Sequence, residues 1–312
     1  MGEPATGKCD NDDMKFPDPW EGVPADRRLD FTVIREPIES LAEATILGVE
    51  RALPVALQAV PGSLAVLLML AKLVETTFST IRYICAEKPE DPARRISFAT
   101  STPPLLRSML DAIYTLIFIG EDPPTRFKWY YNAGWRELRE EYDRHVQRYS
   151  GKTEWKAWLA GYGTHLATLE GQWVTAHEAA NPKAIRRWPT PSNMVSSGML
   201  TADAQTFLDY MRDWFYREFS QDDHLSLPGL IRRGSNFLRP ADDSRKESTW
   251  KKLRSDWVTY AVVLFLAFLT EMVLLCNLDL RPRCSYIWGI LKEYSSMAAE
   301  VYEARYETKL MA

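Results

Sequence analysis

Two short segments carry polar residues whose types and spacing suit acid–base chemistry. Arg107 and Asp111 are four residues apart, so they share one face of a helix. Tyr216, Ser220 and His224 also repeat at four-residue steps and would form one polar stripe if their helix continues. Histidine changes charge near neutral pH, which makes His224 a candidate general acid or base. A neighbouring arginine would stabilise the negative charge that develops on a phosphate.

These two segments should meet in the folded chain. Arg107 stands on a helix that is otherwise strongly apolar, and a buried charge loses much hydration energy unless it finds partners. Asp111 satisfies only part of the guanidinium N–H donors, whereas tyrosine and serine hydroxyls can accept the others. We therefore expect Arg107, Asp111 and His224 to belong to one site. The alternative is a buried polar network that fixes the register of packed helices.

The same two motifs resemble those of an all-helical bacterial domain family of unknown function, which is similar to the HEPN-like helical bundles. The first motif reads Arg-Ser-x-Leu-Asp, and the second reads Tyr-x-x-x-Ser-x-x-x-His with a proline shortly after it. Many HEPN proteins are metal-independent ribonucleases marked by an arginine, a short spacer and then a histidine. Arg217 and His224 have six residues between them, and Arg139 and His145 have five, so both pairs fit this pattern.

The resemblance covers residues 60 to 275 and implies a function. It implies an endoribonuclease that acts as a toxin or phage-defence effector, with RNA as its partner. One histidine would act on an RNA 2′-hydroxyl, and the products would be a 2′,3′-cyclic phosphate and a 5′-hydroxyl. HEPN sites usually form across a dimer, so a homodimer is expected. The candidate catalytic residues are His224, Arg217, Arg107, Asp111, Tyr216 and Ser220. A non-catalytic helical interaction or sensor protein is the other function that the sequence leaves open.

The sequence lacks the spacings typical of metal and cofactor sites. No glutamate stands three residues before any of the four histidines, and H-E-x-x-H is absent. The cysteines, Cys9, Cys85, Cys276 and Cys284, include no C-x-x-C pair. A phosphate-binding G-x-x-x-x-G-K-[ST] loop is also absent. We therefore expect no metal, no small-molecule cofactor, and free thiols in a reducing cytoplasm.

The overall charge argues against a strongly basic nucleic-acid-binding protein. The chain has 38 lysines and arginines against 42 acidic residues, a net charge of -4. Basic residues cluster only locally, in Arg186-Arg187-Trp188, at Arg232-Arg233 and at Arg239. These spots could contact phosphates and stack bases, or they could be ordinary solvated loops.

Hydrophobic periodicity predicts an all-α fold. Apolar residues recur at three- and four-residue steps in about eight segments, and no segment alternates as a strand would. The apolar fraction of 46% suffices for a sizeable core. Residues 1–28 are rich in proline and aspartate and predict a disordered or loosely docked tail. The rest, 29–312, predicts a single helical bundle with a long proline-rich loop at 181–200.

Residues 257–276 form a long apolar run that contains one charge, Glu271. The run is long enough to cross a bilayer, and its mean hydropathy is roughly 2, a level that flags a membrane span. A central helix buried on every face of a bundle is equally apolar. There Glu271 would pair with an arginine from a neighbour, whereas a carboxylate facing lipid is costly. We expect the buried helix and a cytoplasmic protein, with inner-membrane association through 257–276 as the alternative.

Overall fold

The computed structural model of this protein describes residues 31–86, 92–217, 219–220, 227 and 243–311. Helices hold 86% of these residues and no strand occurs among them, so the predicted all-α class is confirmed. The described residues form twelve helices, against the about eight that periodicity predicts. The tail predicted at 1–28 lies outside the described residues, and so does His224.

The helices are numbered here in chain order. Helices α1 to α6 are Phe31–Arg51, Ser63–Ala86, Pro92–Ala99, Thr102–Gly120, Pro123–Tyr149 and Lys156–Trp173. Helices α7 to α12 are Ala176–Ala180, Pro191–Ser196, Ala202–Met211, Asp243–Leu275, Arg281–Tyr294 and Ser296–Val301. The π-helical turns Arg212–Tyr216 and Tyr302–Tyr306 continue α9 and α12, and Glu307–Met311 ends the described chain.

Helix α10 is the centre of the bundle. It packs against α1, α2, α3, α4 and α11, and its apolar part is 83% buried among them. Phe265 of α10 stacks on Phe78 of α2 with ring centres 4.4 Å apart. Both α10 and α2 are long and apolar enough to cross a membrane, but the apolar part of α2 is only 39% buried. A helix enclosed by five neighbours explains why the run at 257–276 is apolar on every side.

The single charge in that apolar run is paired inside the protein. Arg305 donates from Nε and Nη2 to the two carboxylate oxygens of Glu271, at 2.6 and 3.1 Å. The two side chains are 5% and 6% exposed. Arg305 also donates from Nη1 to Asp203 at 3.2 Å. The expectation that Glu271 pairs with an arginine from a neighbouring helix is therefore confirmed.

The interpretation of 181–200 as one continuous loop is wrong. The segment holds a 3-10 turn at Pro182–Ala184 and helix α8, which packs on α4. Pro191 occupies the first position of α8, where the missing N–H costs nothing, and the Thr190 hydroxyl accepts the Asn193 amide at 3.3 Å. Two of the prolines that suggested a loop, Pro182 and Pro191, therefore mark helix starts.

Candidate functional site

The candidate site begins with a polar pair on α4. This helix starts with two prolines in its first turn and is buried along most of its length. Arg107 and Asp111 are the two charged residues of this helix, and Arg107 donates from Nε to Asp111 Oδ1 at 3.1 Å. The Arg107 side chain is 14% exposed and that of Asp111 is 45% exposed. The pair therefore lies at the rim of the bundle, with the guanidinium turned inward.

The second half of the site comes from the π-helical turn after α9. The amide of Arg217 donates to the carbonyl of Arg212, five residues back, so this turn holds one residue more than an α-helical turn. Tyr216 ends the turn and Ser220 follows on the next one. The Ser220 hydroxyl donates to the Tyr216 carbonyl at 2.6 Å, which keeps both side chains close together.

Arg107 joins the two halves. Its Nη1 donates to the Ser220 hydroxyl and its Nη2 donates to the Tyr216 hydroxyl. The guanidinium carbon also lies 3.5 Å from the centre of the Tyr216 ring, within reach of a cation–π interaction. Four of the six predicted site residues therefore meet: Arg107, Asp111, Tyr216 and Ser220. We call these four residues the Arg107 cluster.

The other two predicted site residues are not in this cluster. Arg217 has an exposed side chain, and the contacts that Arg107 makes within the described chain do not include it. His224 lies beyond the described residues, four positions after Ser220. The second arginine–histidine pair lies on the surface of α5, where Arg139 pairs with Asp143 and His145 with Glu141.

The cluster has the chemistry of an anion site with adjacent hydroxyls. Arg107 uses three of its five N–H donors on partners among the described residues, and the other two are available for an incoming oxygen. Behind it, Tyr114 packs on the Tyr216 ring and donates its hydroxyl to the carbonyl of Leu208 at 2.6 Å. Burial raises the pKa of Tyr114 well above its ordinary value, so this tyrosine stays neutral and acts as support.

Sequence reasoning missed a second concave site. A cavity of about 1010 Å³ lies between α2, α5 and the segment 187–190. Aromatic and aliphatic side chains make up most of its lining, together with charged residues of α5. Five of the eight lining residues of α5 follow one helical stripe: Tyr130, Gly134, Glu137, Glu141 and Arg144. This spacing was the signal available in the sequence, because positions three and four apart share a helix face.

The basic spot at 186–188 borders this cavity. Arg187 donates to Glu140 at 2.7 Å, and hydrogen bonds from Arg136 and Arg187 hold the pKa of Glu140 below its ordinary value. Trp188 lines the cavity. Arg186 lies over the ring of Trp129, 4.3 Å from its centre. The spot is therefore built into the bundle surface, while Arg232, Arg233 and Arg239 are outside the described residues.

Neither the thiols nor the acidic residues form a metal site in the part of the chain that the structure describes. No three histidine, cysteine, aspartate or glutamate side chains group there closely enough to hold an ion. Cys85, Cys276 and Cys284 are free and buried. Burial raises their pKa values to about 12, 12 and 11. These thiols are protonated at neutral pH and unsuited to nucleophilic chemistry.

No protein-family model, curated protein or solved structure matches this chain. The resemblance to HEPN-like bundles therefore stays a prediction, and the function has to be argued from the side chains.

Proposed function

We propose that this chain is a metal-independent endoribonuclease whose active site is built on Arg107. The observation that supports this most directly is the Arg107 cluster. It places a guanidinium, with two N–H donors unused among the described residues, beside the hydroxyls of Tyr216 and Ser220, and Ser220 precedes His224 by four positions in the sequence. The cytoplasm, where RNA is abundant, is the location that fits this activity.

The proposed reaction is an internal transfer of the RNA phosphate. His224, as general base, takes the proton of the 2′-hydroxyl, whose oxygen attacks the neighbouring phosphorus. The bond from phosphorus to the 5′-oxygen breaks, and that oxygen takes a proton from the acid of the site. The Tyr216 hydroxyl and a second histidine of a homodimer are the two candidates for this acid. Arg107 stabilises the charge that builds on the phosphate oxygens.

The proposal is tested with end-labelled total RNA in the presence of EDTA. Wild-type protein should release fragments with 2′,3′-cyclic phosphate and 5′-hydroxyl ends. His224→Ala and Arg107→Ala should lose at least about a hundredfold of the rate, as expected for removal of an acid–base group. Arg139→Ala, on the surface of α5, is the matched control and should cleave like wild type. Cleavage that survives in His224→Ala, or none by wild type, would contradict the proposal.

A mixing experiment tests the expected homodimer. If the acid is His224 of the partner copy, every site needs both histidines, so wild-type chains mixed with excess His224→Ala chains should lose most of their activity. Light scattering of the wild type should show two chains per particle. A monomer that cleaves RNA would refute the shared site while leaving the reaction intact.

A non-catalytic interaction or sensor role is the second candidate, and one observation favours it. Helix α2 is apolar enough to cross a membrane, yet three of its side chains are more than half exposed: Tyr83, and Met69 and Leu73, which also line the cavity. The apolar part of α10 is buried inside the bundle, so the folded bundle would contact a membrane through α2. Flotation with anionic vesicles tests this role, and Leu73→Glu should abolish flotation if it is correct.

A further inference from the structure

We propose that the cavity between α2, α5 and the segment 187–190 binds a nucleotide, with the base inside and the phosphate at Arg144. A nucleotide unit of RNA and a free nucleotide share this chemistry. Binding of a nucleotide unit of RNA rests on the proposed function, whereas binding of a free nucleotide does not.

The shape of the cavity suits a flat ring. Its volume of about 1010 Å³ is at the upper end of small-ligand pockets. One wall is a stripe of α2 that holds Val66, Met69, Leu70 and Leu73. The α5 wall opposite contains Gly134, where an added Cβ would meet nothing within 4 Å. The missing side chain leaves room for a ring between the two helices.

Aromatic residues supply the stacking surface. Tyr130 and Trp188 meet at 80° with ring centres 4.9 Å apart, and Tyr131 and Trp173 meet at 39° with centres 4.9 Å apart. All four line the cavity. Aromatic side chains stack on any base, because every base has a π face. The thioether of Met69, on the facing wall, adds a polarizable contact to an aromatic ligand.

The charged residues of α5 set the polarity of the ligand. Glu137 and Arg144 are two turns apart on one face, a separation of about 10 Å along the axis. Neither forms an ion pair with the described residues. The other two carboxylates of the lining have partners: Glu140 pairs with Arg187, and Glu141 lies 3.4 Å from the His145 ring nitrogen. A carboxylate accepts N–H groups from a base edge, and arginine binds phosphate. This order predicts a base with amino donors at Glu137 and a phosphate at Arg144.

The cavity and the Arg107 cluster share helix α4. Thr115 lines the cavity and lies two turns after Arg107, about 12 Å along the helix axis. Asp111 lies between them on the same side. A strand of RNA with one base in the cavity would therefore pass close to the guanidinium. The base bound in the cavity would then determine which phosphate of the strand lies at Arg107 for cleavage.

The experiment blocks the cavity without disturbing the core. Gly134→Trp fills it, and Gly161→Trp is the matched control, because an added Cβ at Gly161 also meets nothing within 4 Å and lies outside the lining. Binding of GMP and UMP is measured by calorimetry, and binding of a labelled 12-nucleotide single-stranded RNA by anisotropy in His224→Ala. Circular dichroism melting confirms that each variant folds.

We expect Gly134→Trp and Arg144→Gln to weaken binding by about tenfold or more, and Gly161→Trp to stay within about twofold of wild type. GMP should bind more tightly than UMP, and Glu137→Gln should remove that difference. Equal binding by Gly134→Trp and Gly161→Trp, or no binding of either probe, overturns the proposal. Loss of mononucleotide binding in Gly134→Trp supports it even if RNA is never cleaved. If Gly134→Trp binds both probes as tightly as wild type and still cleaves RNA, the nucleotide site in the cavity is refuted, but the proposed ribonuclease function is not.

Discussion

Arg107 and Tyr216 meet in two ways at once: the guanidinium carbon lies 3.5 Å from the centre of the tyrosine ring, and Nη2 donates to its hydroxyl. The same guanidinium binds Asp111 and Ser220. One side chain thereby ties α4 to the turn that follows α9. Because the two segments are far apart in the chain, this contact positions them without help from local sequence.

Arg107→Ala should lower the free energy of unfolding by about 2–4 kcal/mol, because it removes the hydrogen bonds that the guanidinium donates to Asp111, Ser220 and Tyr216. Arg139→Ala should lower it by less than about 0.5 kcal/mol, since Arg139 forms an exposed i,i+4 pair with Asp143. Urea unfolding monitored by circular dichroism measures both. Equal losses in the two variants would show that the Arg107 cluster contributes no more than a surface pair.

Tyr216→Phe separates a structural role from a catalytic one. The ring and its stacking on the guanidinium remain, so stability should fall by only about 1 kcal/mol, the usual net value of one hydrogen bond. If the hydroxyl moves a proton in the reaction, RNA cleavage should fall by about tenfold or more, and the high-pH limb of the rate profile should change. Wild-type cleavage by Tyr216→Phe would assign the hydroxyl to packing alone.

The Arg107 cluster could be predicted from the sequence because two arguments agree: the energetic cost of burying a charge without partners, and the spacing of the polar residues. A charged pair on the apolar helix α4 needs partners, and Tyr216 and Ser220 lie four residues apart, so their meeting with Arg107 follows. The π-helical turn at Arg212–Tyr216 was not predictable, because its extra residue leaves the hydrophobic period almost unchanged. The cavity was missed for another reason. Its walls come from segments far apart in the chain, and none of them is unusual alone.

The buried pair of Glu271 and Arg305 should be strongly coupled. Burial opposes the charge of Arg305, but the carboxylate of Glu271 outweighs it, so the pKa of Arg305 lies above its ordinary value. Arg305→Ala should cost about 3–5 kcal/mol, because Glu271 is then left as an unpaired buried charge. The double variant Glu271→Met, Arg305→Met should recover most of that loss. Thermal melts of the single and double variants measure the coupling, and additive losses would contradict it.

The sequence predicts that Glu271 needs a positively charged partner, but it does not predict that this partner is Arg305. A lone carboxylate at the middle of an apolar run predicts an arginine nearby. Arg305 is 34 residues downstream, after α11 and inside the π-helical turn Tyr302–Tyr306. Only the packing of this turn against α9 and α10 brings it to Glu271. Short helices and π turns of this kind also explain why twelve helices form where periodicity predicts eight.

The three cysteine thiols that the structure describes should not react with a disulfide reagent in the native protein. Cys85, Cys276 and Cys284 are almost fully buried, and their pKa values of about 12, 12 and 11 leave almost no thiolate at pH 8. Cys9→Ser protein should therefore react with less than about 0.1 equivalent of reagent before unfolding, and with three in denaturant. Rapid labelling of more than one thiol in the native variant would show that the bundle opens around α10 or α11.

Alkaline pH should destabilise the fold through these same thiols. Their ordinary pKa of 9.0 applies to the unfolded chain, and burial raises it in the native state. The unfolded chain therefore holds fewer protons above pH 9, so stability is complete below that pH and falls as pH rises toward the native pKa. Each thiol should lower the free energy of unfolding by about 1 kcal/mol between pH 9 and 10. Cys276→Ala, which removes one thiol, should lose about 1 kcal/mol less than wild type over that interval. Urea unfolding at the two pH values measures the difference, and parallel losses in both proteins would show that Cys276 ionises equally in the native and unfolded states.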